Sequence, residues 1–234
     1  MLVKDWMTKE PLVATTKTSI EEAIRTMREN RVRHLPVVKD KDTLVGLVTQ
    51  TDLLQASPSP ATSLSVWEVN FLLARMQVRD AMTTQVVVVD EECPLEEAAL
   101  VMAEHKFGCL PVVHGRRLVG IITETDLFNI FTEQLGARST GVRLTLQIDD
   151  VKGSLARLTG RITDLGGNIV RLTTLPGKEE GQAIVTVKVE GVSQESLVEG
   201  LSAIGAQVLD VREGRGWDTE GFSPYHWTMD GQAR

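Results

Sequence analysis

Two threonines and an aspartate recur in one arrangement at two places in the chain. The first reads Gly46-Leu47-Val48-Thr49-Gln50-Thr51-Asp52-Leu53, the second Gly120-Ile121-Ile122-Thr123-Glu124-Thr125-Asp126-Leu127. Each is a short apolar run that ends in two hydroxyls and a carboxylate. A carboxylate can accept both hydroxyls of a ribose, and hydrogen bonds to a charged group are worth about 1.5–3 kcal/mol. The free N–H groups of a helix start favour phosphate oxygens. The pattern describes a site for a polar ligand carrying ribose or phosphate. A structural alternative stands beside it. Asp is a preferred helix N-cap, worth about 1 kcal/mol with no ligand present. Thr49 and Thr123 could likewise serve only local backbone groups.

The elements that must position these residues are a buried strand, the apolar run, and a helix that Asp52 or Asp126 opens. The repeat reaches further. Val3-Lys4-Asp5-Trp6-Met7-Thr8 matches Val78-Arg79-Asp80-Ala81-Met82-Thr83, Glu21-Glu22-Ala23 matches Glu96-Glu97-Ala98, and Leu35-Pro36-Val37-Val38 matches Leu110-Pro111-Val112-Val113. The first 135 residues are a tandem duplication. In the first copy, 1–57, Leu12 to Ala14 is a strand. Ser19 caps a helix with Glu22 in capping-box spacing. Ile20, Ala23, Ile24 and Met27 form its apolar stripe, and Asn30 ends it. Leu35 to Val38 and Leu44 to Val48 form a strand pair around a polar turn. In the second copy, 78–135, Pro94 takes the first helical position and Leu95, Ala98, Ala99 and Met102 repeat the stripe. Between the copies, 58–77 begins as a Ser/Pro linker and continues as an amphipathic helix from about residue 66, with Trp67 and Phe71 on one face.

Residues 136–141 read as a linker, and 142–212 follow another pattern. Val142, Leu144, Leu146 and Ile148 alternate as a half-buried strand. Ser154 caps a helix whose Leu155, Leu158, Ile162 and Leu165 share a face, and Gly166-Gly167 stops it. Strands at 168–175 and 183–189, a helix at 193–204 and a strand at 206–211 complete a βαββαβ order, the ferredoxin-like arrangement. The fold class is α+β throughout. The tail, 213–234, holds Trp217, Phe222, Tyr225 and Trp227. So many aromatics in a polar, Gly-rich stretch argue that part of it docks.

A net charge of −7 argues against broad, sequence-independent binding to nucleic acid. No leader peptide or bilayer-length apolar run is legible. Cys93 and Cys109, the two cysteines, fit a reducing compartment, and a cytoplasmic location is expected. The four histidines show no metal-ligand spacing. There is no nucleophile elbow and no Walker phosphate loop, so neither a catalytic residue nor a catalytic cofactor is expected.

These motifs resemble two families. The duplicated half is similar to a tandem pair of CBS domains, a Bateman module, on Val-x-Asp-x-Met-Thr, Glu-Glu-Ala, Leu-Pro-Val-Val and the Gly-to-Asp stretch, each present twice. Asp150-x-x-Gly153-x-Leu155 followed by Gly167-Asn168-Ile169 resembles an ACT domain. The order of the parts is similar to the acetoin-utilisation AcuB-like proteins. The resemblance implies two clefts for adenosine-containing ligands, each built from both repeats. One would use Asp126 on the ribose, Thr123 and Thr125 near ribose and phosphate, and Thr8, Arg33 and His34 around the adenine. The other would use Asp52, Thr49 and Thr51, with Thr83, Gly108 and Cys109 around the base. Glu124 is unfavourable to phosphate where the first copy has Gln50, and Arg33 and His34 could offset it. For the ACT segment the resemblance implies side-by-side pairing and an amino-acid site lined by Asp150, Gly153, Ser154, Leu155 and Asn168.

The expectation is a homodimeric regulatory protein, paired through its CBS and ACT parts. It senses adenine nucleotide as a regulatory ligand, binds neither nucleic acid nor membrane, and signals to an effector protein in trans. The alternative is a dimeric scaffold with non-binding clefts.

Overall fold

The computed structural model describes residues 1–57, 65 and 75–215. The helix expected from residue 66 and the aromatic tail lie outside these, apart from their edges. The chain divides into two compact units, Met1–Phe128 and Asn129–Arg234.

The first unit is a mixed sheet with helices. Its strands are β1 (Thr8–Lys9), β2 (Ala14–Thr15), β3 (His34–Lys39), β4 (Thr43–Thr49), β5 (Val89–Asp90), β6 (Cys109–His114) and β7 (Arg117–Thr123). They lie in the order β2-β3-β4-β7-β6-β5, with β1 paired to β7. Helices α1 (Ile20–Glu29) and α2 (Gln50–Ala56) belong to the first repeat; α3 (Leu95–His105) and the start of α4 (Glu124–Gln134) belong to the second. Ser19 accepts a hydrogen bond from the Glu22 N–H, as its spacing predicts. The buried side of α1, Ile20, Ala23 and Met27, packs with Leu35, Val37, Val48 and Leu53. Pro94 stands one residue before α3, at the cap.

The two repeats interlock, and their glycines allow it. Thr8 pairs with Ile121 of the other repeat. Thr83 exchanges two backbone hydrogen bonds with Leu47, both 2.9 Å. A Cβ on Gly46 would meet Met82 Sδ at 2.7 Å, and one on Gly120 would strike Met7 Sδ. Each Met-Thr segment thus packs on the glycine of the opposite copy, where any larger residue overfills the contact.

The second unit is a four-stranded antiparallel sheet, ordered β11-β8-β10-β9. Its strands are β8 (Thr140–Asp149), β9 (Asn168–Pro176), β10 (Gln182–Glu190) and β11 (Gln207–Arg215). Helices α5 (Ser154–Asp164) and α6 (Gln194–Ser202) complete the βαββαβ order. Val142, Leu144, Leu146, Val185, Val187 and Val189 alternate onto a core with Leu158, Ile162, Leu197 and Leu201. The strands begin and end one or more residues beyond the apolar alternation, because edge polar residues still pair their backbones.

Two expected caps are different. The second helices open at Gln50 and Glu124, so Asp52 and Asp126 stand at the third helical position. Thr49 has the extended backbone of an N-cap (φ −105°, ψ 162°) and takes that role. Gly153 (φ +88°), not Ser154, is the N-cap of α5 and makes no side-chain cap bond. Ser154 is buried as the first helical residue, and its Oγ accepts from Arg157 at 3.3 Å.

Candidate functional site

A cleft of about 380 Å³ in the first unit gathers residues from both repeats. Thr8, Glu10, Pro11, Leu12, Arg31, Arg33 and His34 come from the first, and Gly108, Ile121, Thr123, Glu124, Thr125 and Asp126 from the second. Its volume is that of a small-molecule site. All six residues assigned above to the Asp126 cleft line it, and Gly108, assigned to the other, lines it too.

The capping geometry fixes the carboxylate. Asp126 Oδ2 accepts from the Thr123 N–H at 2.8 Å and the Thr123 hydroxyl at 2.7 Å, and the Asp126 N–H donates to Thr123 Oγ1 at 3.3 Å. Among the described residues Oδ1 takes no partner. The carboxylate is therefore held in one orientation while one oxygen retains its accepting capacity. The Glu124 N–H is spent on the Gly108 carbonyl at 3.1 Å, which ties the helix start to the base loop.

Arg33 and His34 are placed by the matching contact in the first repeat. The Arg33 carbonyl accepts from the Gln50 N–H at 2.9 Å, and His34 pairs with Thr49 in the β3–β4 register. His34 then meets the second repeat: a Cβ on Gly108 would stand 3.0 Å from His34 Nε2. Burial, and after it the Arg33 charge, hold the His34 pKa below its ordinary 6.5. His34 is accordingly a neutral donor or acceptor near pH 7, and Arg33 rather than His34 offsets Glu124. The charge of the lining is three carboxylates, Glu10, Glu124 and Asp126, against two guanidiniums, Arg31 and Arg33. Pro11, Leu12 and Ile121 supply an apolar wall on which a base can lie.

The other set of residues is brought together only in part. Asp52 Oδ2 accepts from the Thr49 N–H and hydroxyl, both at 2.8 Å, and Thr83 is bonded to Leu47 two residues before Thr49. Thr51 lies on the first turn of the same helix. Cys109 faces Thr123 across the β6–β7 ladder and is 4% exposed, so little of it is left to touch a ligand. Burial, with Glu124 second, pushes its thiol up to about 12, which leaves it protonated and inert.

Sequence reasoning missed Glu10, Pro11, Leu12 and Arg31. Leu12 was read as a strand residue, but the strand begins at Ala14, which leaves Leu12 44% exposed on the cleft. Glu10 and Arg31 have positive φ, +50° and +54°. Arg31 follows the end of α1, and its counterpart Lys106 has φ +57°, so that conformation is a repeated helix ending. Glu10 has no such counterpart, and nothing in its residue type announced it.

In the second unit Asp150, Gly153, Ser154 and Leu155 form the turn into α5. Asn168 does not join them within one chain. Asp149 is in register with Gln182 and Asn168 with Glu190, so the two ends are roughly 26 Å apart at about 3.3 Å per residue.

Comparison with known proteins follows the same division. The CBS domain model matches residues 3–59 and 78–133, and the TTHA0829-like ACT domain model matches 140–212. YlbB of Bacillus subtilis is 32% identical over 126 residues, covering 53% of this chain and 78% of that protein. The chain belongs to the CBS domain family. It carries a CBS pair followed by an ACT domain. The crystal structure of the AcuB protein of Vibrio cholerae is similar at 34% identity and a TM-score of 0.50, covering 58% of this chain and 93% of that one. The L-aspartate semialdehyde sulfurtransferase of Methanocaldococcus jannaschii is 30% identical over 131 residues, but the chain spans only 23% of its length; it spans 31% of a second long relative from that organism. The two models that match are those of regulatory domains. Among the described residues no helix is long and apolar enough to cross a membrane, and no three His, Cys, Asp or Glu side chains cluster as a metal site.

Proposed function

We propose that the protein is a regulatory sensor of an adenine nucleotide of the AMP, ADP and ATP class. The observation that carries this reading is the capped Asp126 carboxylate, with Oδ1 unused, in one cleft with Thr123, Thr125, Arg33 and an apolar wall. In it the ribose hydroxyls bond to Asp126, the base lies against Leu12 and Ile121, and Arg33 meets the phosphate. The excess of carboxylates over guanidiniums favours the nucleotide with fewest phosphates, so AMP binds above ATP. Asp52 with Thr49, Thr51 and Thr83 forms the second cleft. The protein acts as a homodimer through its CBS and ACT domains. The ACT pair takes an amino acid between the Asp150–Leu155 turn of one copy and Asn168 of the other, and the output passes to an effector protein in trans. A ligand shifts such a system only by binding its two conformations unequally.

The capping boxes favour one competing reading. Thr49 with Asp52 and Thr123 with Asp126 are complete as helix caps without any ligand. A dimeric scaffold with empty clefts would need nothing more from them. Thermal unfolding with AMP, ADP, ATP, S-adenosylmethionine and NAD, on wild type, Asp52→Ala and Asp126→Ala, separates the two. Ligand at a hundredfold its Kd adds about 2.7 kcal/mol, several degrees for a chain of this size. A shift with AMP that Asp126→Ala removes supports the sensor. Indifference to all five ligands leaves the scaffold.

A further inference from the structure

The second unit contains a buried charge with no carboxylate in ion-pair contact among the described residues. Lys188, on β10, is 6% exposed. Its ammonium donates to the carbonyls of Gly136 (2.8 Å) and Ser139, which are neutral, and among the described residues no carboxylate lies within ion-pair distance. Buried charges are ordinarily paired or bound to a ligand. Lys188 alternates with Val187 and Val189, which face the core, so it lies on the side of the sheet away from α5 and α6.

That side holds a cleft of about 600 Å³ lined by Arg143, Thr145, Lys188, Asp210, Arg212 and the Glu213-Gly214 stretch. Asp210 is shared between two guanidiniums, Arg212 Nε at 3.0 Å and Arg143 Nη1 at 3.2 Å. Asp210 thus bridges the two arginines, and with Lys188 the lining holds three cations against two carboxylates, Asp210 and Glu213. Burial first, and Arg143 second, lower the Lys188 pKa, and the Glu190 carboxylate opposes them only in part. Gly214 keeps the wall open over the ammonium: a Cβ there would stand 3.0 Å from Lys188 Nζ.

We propose that this cleft on the helix-free face of the ACT sheet binds a small organic oxyanion, a carboxylate or a phosphate monoester. The oxyanion takes the remaining Lys188 N–H and guanidinium N–H groups of Arg143, with the Thr145 hydroxyl beside them. This site is separate from the nucleotide cleft and from the turn at Asp150–Leu155.

The test is titration of the full chain with sodium phosphate and, separately, sodium succinate, followed by amide NMR against sodium chloride of equal ionic strength. Saturable shifts at Arg143–Thr145 and Asp210–Gly214 are expected, with the midpoint raised at least tenfold by Arg143→Gln. Arg143 is half-exposed, so this variant should keep the fold; Lys188→Met, checked by circular dichroism, is the second. Saturation by phosphate alone assigns the phosphate monoester class, and by succinate alone the carboxylate class; saturation by both assigns the site to oxyanions generally. Shifts equal to those in chloride, or unchanged in Arg143→Gln, overturn the proposal. Asp126→Ala should leave these shifts as they are, so a failed nucleotide site and a failed oxyanion site are told apart.

Discussion

The two copies of the Thr-x-Thr-Asp stretch have nearly the same hydrogen bonds and different neighbours. In each, the Asp side chain accepts from the Thr N–H and hydroxyl at 2.7–2.8 Å, and the Asp N–H returns a longer bond, 3.2 Å at Thr49 and 3.3 Å at Thr123. The residue between the threonines is neutral Gln50 in one copy and Glu124 in the other. The base loop is Arg33-His34 in one and Gly108-Cys109 in the other. The capping box is therefore the common inheritance. It cannot distinguish a cleft that binds from one that does not, because its stabilising role is complete in both. Selectivity has to come from the neighbours, and these differ in charge and in size.

Four measurements break or sharpen that comparison. The largest effect is expected on affinity. Asp126→Ala should weaken AMP by roughly 10- to 100-fold, the worth of charged hydrogen bonds, while Asp52→Ala changes binding in the Asp126 cleft much less. Both should cost about 1 kcal/mol of stability, as the carboxylate's capping-box bonds to the threonine are lost. Calorimetric titration checks the first and thermal melts the second; equal losses of affinity would erase the distinction between the copies.

Next in size is the interlock of the repeats. Gly120→Ala and Gly46→Ala each press a methyl on the opposite methionine and on a backbone oxygen 3.0 Å away. Each should cost about 1–3 kcal/mol, by overpacking, in a denaturant titration. A loss at one glycine only would show that the copies do not support each other equally.

A smaller effect is expected at Glu124. Glu124→Gln makes the second copy like the first and removes one carboxylate from the cleft. AMP should bind about two- to fivefold more tightly, from a surface-scale charge contact, and more so at low salt. Unchanged affinity would place the phosphate away from Glu124.

The smallest is a pH dependence at His34, whose counterpart in the second copy is Cys109. The His34 pKa is depressed below 6.5 in the folded state. The unfolded chain then binds the proton first as pH falls. Stability from this group is present above 6.5 and is lost as pH falls from there towards the folded pKa. His34→Gln should flatten that limb of the stability profile. An identical profile in the variant would assign the pH dependence to other groups.

Much of this was legible in the sequence, and the particular residues say why. Ser19 with Glu22, the β3–β4 pair and the βαββαβ order depend on neighbours a few residues apart, so spacing and periodicity report them. The ends of helices are less secure. Thr49 displaced Asp52 from the cap because both side chains can cap, and only the backbone angle of residue 49 decides between them. Glu10 and Arg31 escaped because nothing local marks a cleft wall, and Lys188 because one lysine on an amphipathic strand reads as a solvated residue. Asp150 and Asn168 are grouped only by the ACT resemblance, and β9 places its start at the far end of the sheet from the β8–α5 turn.

By itself the sequence determined the duplication, the order of elements and the residue types available for a ribose and a phosphate, since these are properties of local spacing and composition. Only the tertiary structure decided that Met7 seats on Gly120, that His34 of one repeat touches Gly108 of the other, and that Lys188 is buried on backbone carbonyls. Those facts follow from close packing between segments distant in the chain, where a fraction of an ångström separates contact from clash, and no local pattern encodes that distance.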